Sequence, residues 1–583
     1  MTLYKIEIKD RLYSEWSVYK NLSENEKVDL KISPTENKLF NDDIFTYNKN
    51  IIQIIESPVR NSIFPAVLVL KQNKTYGRHQ NGKMIYKCIP DDPKIPSFLV
   101  PYEMKNMGFS KVFTNLYVTI CFSEWKEKHP CGIISQIIGP IDEIEHFYEY
   151  QLYCKKINSS LQKFTKATMK SLKDKEKEHN DIYDFICKKY SGIEDRTHWK
   201  VFSIDPEGSV DFDDAFSIQK ITSDTTLLSI YISNVSIWID VLDLWDQFTG
   251  RVSTIYLPDK KRTMLPTILS DNLCSLVSKS SRFAFTMDIY ISNHSNDILD
   301  IKYSNTKIRL YKNFVYEESS LLRDENYHML YFMVKNVLSK KYSYMDNITD
   351  SHDIVQYLMI FMNYFCAKEL LNEKNGIFRT AIIKEYKDQN GEDIPDDTEF
   401  PSNVSKFLKM IHSYSGKYID IDGLAKNESL RHDVLNMDAY IHITSPIRRL
   451  VDLLNMIRIQ KNMKMIELSN HAYEFYDYWC MNIDYLNNDM KMIKRVQNDC
   501  NLLYLCESKP ELLEKNHIGY AFSKNINSQF SDLIEYSVYL PEMNITTRVF
   551  TKDAEIMYKA KSYKLYLFQD EEKFKKKIRL QLQ

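Results

Sequence analysis

Ile204-Asp205-Pro206-Glu207-Gly208-Ser209-Val210-Asp211-Phe212-Asp213-Asp214-Ala215 places four aspartates within ten residues. Apolar residues bracket them, with Val201, Phe202 and Ile204 before and Ala215, Phe216 and Ile218 after. These flanks read as strands, and Gly208-Ser209 supplies a turn that folds Asp205 back onto the later acids. If residues 211–214 are extended, Asp211 and Asp213 share one face and Asp214 takes the other. Two bare carboxylates about 4 Å apart repel by roughly 4 kcal/mol at an effective dielectric near 20. Four in a partly apolar setting need a counter-charge, and a hard divalent cation with oxygen ligands is the natural one. The run is not an EF-hand, because it lacks that loop's glycine at the sixth position and its closing glutamate. An exposed acidic loop is the alternative that composition alone leaves open.

A second segment, Thr444-Ser445-Pro446-Ile447-Arg448-Arg449-Leu450-Val451-Asp452, reads as a helix start. Thr444 or Ser445 is expected to cap it, with Pro446 in the first turn where a missing N–H costs nothing. A helix N-terminus favours phosphate, and Arg448 and Arg449 add charge and bidentate geometry. Asp452, one turn on, is placed to hold the Arg448 guanidinium. Taken alone, the segment reads equally well as a capped surface helix with a salt bridge.

Other features narrow the reading. Gly77-Arg78-His79-Gln80-Asn81-Gly82-Lys83-Met84 has P-loop spacing, but Met84 stands where a hydroxyl must reach magnesium. Asn81-Gly82 between two apolar runs predicts a hairpin instead. With 583 residues, several domains are expected. Lys+Arg 77 against Asp+Glu 79 gives a net charge of −2, so no global basic signal marks nucleic acid. Acids clustered at a metal site offset basic surfaces elsewhere, so this balance does not exclude a nucleic-acid enzyme. Ten cysteines without a CxxC pair or zinc spacing read as reduced thiols of a cytoplasmic protein with no membrane partner.

Residues 1–27 carry little pattern, and residues from about 28 to 150 are strand-like with frequent turn residues. Lys155, Lys156, Lys163, Lys166, Lys170, Lys173, Lys175 and Lys177 mark a helical connector over 155–198. Its lysines read first as a solvated face, and only second as an RNA-facing stripe. Strands and loops alternate over 199–300, and 325–375 and 405–510 read as mostly helical. Strands return after about 515, ending in a basic run of Lys573, Lys575, Lys576, Lys577 and Arg579.

Taken together, the acidic and basic segments resemble the catalytic (RNB) domain of the ribonuclease II and ribonuclease R family, which includes the exosome's exonuclease subunit. Asp205, Asp211, Asp213, Asp214 and Ala215 meet its Asp-Pro and Asp-x-Asp-Asp-Ala pattern. Tyr256-Leu257-Pro258, Met264-Leu265-Pro266, Leu269-Ser270 and Leu273-Cys274-Ser275-Leu276 follow in the family's order. Tyr440, the Thr444–Arg449 run and Asp452 match its late signature. Asp92-Pro93-Lys94-Ile95-Pro96, Trp125, Pro130, Gly132 and Gly139 resemble the paired cold-shock barrels that precede this domain.

The resemblance implies a multidomain α+β chain. Cold-shock-like OB barrels are expected at 28–98 and 99–154, a mixed α/β catalytic domain at 199–510, and a closing OB-type barrel at 511–583. It further implies a 3′→5′ exoribonuclease that hydrolyses single-stranded RNA to nucleoside 5′-monophosphates. Asp205, Asp211, Asp213 and Asp214 would hold Mg2+, or Mn2+, and Arg448 would neutralise charge on the scissile phosphate. Tyr256 would stack on the terminal base, and Ser445 and Arg449 would contact RNA. The protein would work as a monomer or as a subunit of an RNA-decay complex. Departures are visible: Tyr231-Ile232-Ser233-Asn234-Val235-Ser236-Ile237 lacks a family acid and two histidines, Gln356-Tyr357 replaces paired glutamates, and Met456-Ile457 replaces a His-Arg pair. The shortened stretch from about 313 to 350 shows no second aromatic clamp for the terminal nucleotide. They keep a second reading open, in which the chain is an RNA-binding scaffold or regulator with weakened catalysis.

Overall fold

Strands Ile193–Asp205, Asp214–Lys220, Thr225–Ser233, Ser281–Ser292 and Ile298–Val315 close into a five-stranded barrel at the centre of the chain. Its closing pair is parallel, setting Ile204 against Phe314 and Asp205 against Val315. Period-two alternation explains why these strands are apolar on both faces. Val201, Ala215, Tyr231, Ala284, Ile308 and Leu310 pack together on one face. Phe202, Ile204, Phe216, Ile230, Ile232, Phe285 and Met287 form the other face and pack with Ile354, Leu358 and Phe361 of helix Ser351–Asn372. Asp350 caps that helix by accepting the Asp353 N–H. The computed structural model describes residues 2–22, 26–48, 51–71, 73–103, 113–345, 347–383, 400–401, 404, 407, 413–423, 429–525, 533–553, 556–570 and 574–583.

Helix Leu450–Asn462 is buried nearly all round, with Asp452, Asn455 and Gln460 among its buried residues, and runs through the core. Asn455 on it caps strand Ile377–Ile383: its Oδ1 accepts the Ile377 N–H at 2.9 Å and its Nδ2 donates to the Ile377 carbonyl at 2.9 Å. Helices Asn470–Met481 and Ile483–Ser508 follow. The expectation of helix across 405–510 needs correction, because Ser413–Asp420 is a strand paired with Ile377–Ile383. Part of the expected helix, residues 405–406, 408–412 and 424–428, lies outside the described residues.

The N-terminal boundaries differ from expectation. Residues 1–27 were expected to carry little pattern, yet Leu3–Ile8 is the central strand of a five-stranded sheet that runs to Glu56. Ile6, Ile8, Tyr13 and Val18 fill the same core as Phe64, Phe98 and Trp125. Lys5-Ile6-Glu7-Ile8 alternates charged and apolar residues, a strand pattern carried over only one short run. Strands Ile63–Leu68, Met84–Pro90, Phe98–Tyr102, Leu116–Glu124 and Cys131–Pro140 close the next barrel. A boundary at 98/99 therefore cuts strand Phe98–Tyr102, and the N-terminal sheet and the next barrel share one core. Asn81-Gly82 is the hairpin turn, with Gly82 at φ 85° and its N–H on the His79 carbonyl.

The connector ends earlier than 198, since the central barrel begins at Ile193. It holds helices Gln162–Glu178 and Ile182–Lys189. Asn516–Asn525, Ile534–Leu540, Ile545–Thr551, Ala560–Asp570 and Lys575–Leu582 close the C-terminal barrel. Lys573 of the basic run lies outside the described residues. All ten cysteines are free thiols. Among the described residues, no helix is long and apolar enough to cross a membrane.

Candidate active site

Asp205 ends one barrel strand and Asp214 begins the next, so strand pairing holds both ends of the acidic loop. Between them the chain turns at Pro206–Ser209, where the Ser209 N–H meets the Pro206 carbonyl and Gly208 takes φ 78°. That left-handed conformation is open to glycine at little cost. Ser275 then pins the loop: its O–H donates to the Val210 carbonyl at 2.7 Å and its Oγ accepts the Phe212 N–H at 3.0 Å.

Residues 210–213 are thus not a strand, and the expected alternation of faces gives way to separate partners for each acid. Asp211 accepts Lys261 Nζ at 3.0 Å, and Tyr256 O–H reaches it at 3.5 Å. Asp213 accepts the Ile447 N–H and Arg448 Nε, both at 3.0 Å. Asp205 and Asp214 each keep a buried Oδ2 with no hydrogen-bond partner. The four acids are near enough to raise pKa values within the group, though no three of them bring ligand atoms within 4.8 Å of one another; two are held by protein cations and two are not.

The basic segment also differs from its sequence reading. The helix starts at Leu450, and Ser445–Arg449 is a turn with the Arg448 and Arg449 N–H groups on the Ser445 carbonyl. Long-range pairing overrides the local cap signal: Arg449 bridges Ser253, and the Leu450 N–H bonds the Val252 carbonyl. Asp452 is buried and accepts the Ser445 N–H at 2.7 Å and Arg449 Nη2 at 2.9 Å. It therefore holds Arg449 rather than Arg448, which leaves Arg448 to Asp213. Ser445 Oγ accepts Arg448 Nη2 at 3.0 Å, fixing the guanidinium from its other end. The Arg448 side chain stays 44% exposed and Tyr256 stays 41% exposed, so both can be reached from solvent. Ser445 is buried and Arg449 half-buried; their polar groups turn inward.

Burial dominates the electrostatics. It pushes the Asp205 and Asp213 carboxyls up to about 7, with neighbouring aspartates adding to the rise and Arg448 opposing it. Asp214 is pushed well above the carboxylate range by burial, then by Asp205 and Asp213. Burial works against the charge on Arg448, but Asp213 beside it holds its pKa above the usual value. Ionising all four acids therefore calls for a further positive charge.

Two contributors were not visible from the sequence. Lys261 joins Asp211 to Asp271, at 3.0 and 3.1 Å. Tyr316 puts a second aromatic ring beside the acids. Its N–H bonds the Asp205 carbonyl, and burial together with Asp214 and Asp205 raises its phenol pKa. Two of the departures sit in packing positions, while Gln356 is exposed and Tyr357 beside it is buried. Asn234 donates to Asn305 and Gln460, both at 2.8 Å, in a buried amide network, and Met456 and Ile457 are core residues. Asp350, His352 and Asp353 have ligand atoms within 4.8 Å of one another, but both acids are already engaged in capping the helix start.

A sequence profile described as the RNB domain matches residues 193–328 and 323–464, which span the barrel, the acidic loop and the arginine turn. Residues 193–464 form an RNB domain. The mouse exosome complex exonuclease RRP44 is 34% identical over 132 residues, 22% of this chain and 14% of that protein. Ribonuclease R of Buchnera aphidicola is 25% identical over 343 residues, 48% of this chain and 47% of that protein. The matched stretches thus cover from 14% to about half the length of these curated relatives. The fold around the RNB domain is shared as well. Mycoplasma genitalium RNase R, solved with ribose-methylated single-stranded RNA, superposes with TM-score 0.67 at 16% identity, covering 99% of this chain and 100% of that one. Yeast Ssd1, a pseudonuclease, superposes with TM-score 0.56 at 12% identity, covering 94% and 78%.

Proposed function

We propose that this RNB protein is a divalent-metal-dependent 3′→5′ exoribonuclease that hydrolyses single-stranded RNA to nucleoside 5′-monophosphates. The observation that carries the reading is the pair of unpartnered, buried Oδ2 atoms on Asp205 and Asp214, next to acids already engaged by Arg448 and Lys261. An all-oxygen donor set suits Mg2+, with Mn2+ next. Asp205 and Asp214 would hold the ion directly, and Asp211 and Asp213 would complete its surroundings. When bound, the ion supplies Lewis acidity for in-line displacement at phosphorus.

The chain's own residues do the rest. Arg448, fixed by Asp213 and Ser445, presents its guanidinium to the charge that grows on the scissile phosphate. Tyr256 offers its exposed ring to a terminal base, a contact that tolerates any sequence because every base has a π-face. The barrels on either side suit a single strand better than a duplex face.

A scaffold without catalysis is the competing reading, favoured by the neutral Asn234 and by the pseudonuclease among the structural neighbours. The presence of all four acids weighs against it, since they repel phosphate and would serve binding poorly. The deciding assay uses 5′-labelled RNA and matched DNA with Mg2+ or EDTA, on the wild type and Asp213→Asn. A ladder shortening from the 3′ end, only on RNA and only in wild type with Mg2+, supports the enzyme. RNA bound but left uncut supports the scaffold.

A further inference from the structure

Helix Gln162–Glu178 shows two unlike faces. Phe164, Thr168 and Leu172 are buried, and the Ser171 O–H anchors the helix to the Leu242 carbonyl. The Phe164 ring meets Phe248 at 5.5 Å. On the far side Lys163, Lys166, Lys170, Lys173 and Lys177 are all exposed. At about 100° per residue these five fall within an arc of about 80°, centred opposite the buried face. They extend about 21 Å along the axis at 1.5 Å per residue.

None of the five makes an ion pair or hydrogen bond among the described residues. The helix's one lysine–glutamate bridge within that set uses Lys175, which lies off the arc. Successive lysines stand at i,i+3 and i,i+4, where like charges repel and destabilise a helix. An ordinary solvated face mixes signs to avoid this. The near-neutral chain has instead concentrated five lysines on one rigid edge, with exposed Asp174 at its margin.

We propose that this lysine face is a track for the sugar-phosphate backbone of RNA outside the catalytic site; the proposal rests on the RNA-processing reading above. The length suits several consecutive phosphates, and flexible ammonium groups bind phosphate without reading sequence. The helix also packs on the Ile268–Leu273 turn, whose Asp271 holds Lys261 against Asp211. The track is therefore fixed relative to the acids. An anionic membrane fits less well, because the apolar face that would insert is already buried in the protein.

The test places Lys163, Lys166, Lys170, Lys173 and Lys177→Gln together in the full-length Asp213→Asn background, so that RNA survives the measurement. Glutamine keeps helix propensity close to that of lysine, and circular dichroism checks the fold. Affinity for RNAs of about 30 and about 8 nucleotides is measured across a salt series. For the long RNA, the slope of log K against log salt should fall by up to about 3.5, at roughly 0.7 per phosphate contact, and the short RNA should be unaffected. The same five positions as arginine should restore the slope. An unchanged slope for the long RNA overturns the track while leaving the enzyme reading intact. Binding of phosphatidylserine vesicles that depends on the five lysines, with no change on RNA, overturns it in favour of a membrane surface. If the Asp213→Asn parent binds no RNA of either length, the underlying functional reading fails first.

Discussion

Asp213 and Arg448 are the pair on which the site turns. The carboxylate is buried and the guanidinium reaches solvent, so the acid orients a cation that something outside the protein can use. Lysine at 448 keeps the charge but loses the fork that spans Asp213 and Ser445. Arg448→Lys should lower kcat by about 10²–10³-fold with a smaller change in KM, as for loss of one preorganised stabiliser of transition-state charge; single-turnover and steady-state assays separate the two. The acids carry a second prediction. Asp205 and Asp213 hold protons up to about pH 7, against a reference of 3.8. Between those values the folded, metal-free protein binds more protons than the unfolded chain. The contribution of these groups to stability is thus complete below about pH 4 and is lost as pH rises through 7. Metal binding requires the ionised carboxylates and strengthens over the same range. Melting temperature in EDTA should fall from pH 5.5 to pH 8, and the increment given by Mg2+ should widen. A Mg2+ increment that is flat with pH would remove these acids from the metal site.

At the level of elements, the arginine turn is held by a buried acid rather than by a helix cap. Asp452 accepts both the Ser445 N–H and Arg449. Asp452→Ala leaves Arg449 without its ion-pair partner and should cost about 3–5 kcal/mol. Chemical denaturation would measure the loss, and activity should drop further than stability explains, because Arg448 shares the turn. The same elements show where sequence reading worked and where it stopped. The four aspartates were legible because they are adjacent in the chain and their need for a counter-charge follows from composition. The arginine run was legible as chemistry but not as geometry. Its cap signal is local, whereas the Ser253 bridge and the Val252 hydrogen bond that displace the helix start come from nearly 200 residues away. Tyr316 was invisible for a similar reason, since it reaches the acids through parallel pairing of Ile193–Asp205 with Ile298–Val315. The Leu3–Ile8 strand shows its alternation over only six residues, with Ile6 and Ile8 filling the core, and its place at the centre of a sheet depends on partners further along the chain.

At the scale of the molecule, the chain's last strand returns to its first barrel. Lys575, with a side chain only 10% exposed, bonds Asp91 at 2.6 Å and Cys154 Sγ at 3.3 Å, and lies over the Tyr150 ring. Tyr117 of the N-terminal barrel donates to the Phe574 carbonyl at 2.9 Å. One joint therefore ties the C-terminal barrel, the N-terminal barrel and helix Ile144–Cys154, and any strand threaded between the barrels depends on its alignment. Lys575→Ala removes the ammonium that Asp91 and Cys154 share in this largely buried joint and should cost about 3 kcal/mol. Lys575→Met with Asp91→Leu removes both charges at similar volume, so it should recover most of that loss. Hydrogen exchange gives the sharper reading. In Lys575→Ala, amides of the Asn516–Leu582 and Ile63–Pro140 barrels should exchange faster together, with the Ile193–Val315 barrel unchanged. Turnover of short RNA should persist in that variant while turnover of long RNA falls, because the catalytic groups stay in place and only the approach to them loosens. Uniform acceleration of exchange across all three barrels would mean that Lys575 supports the whole fold rather than this joint.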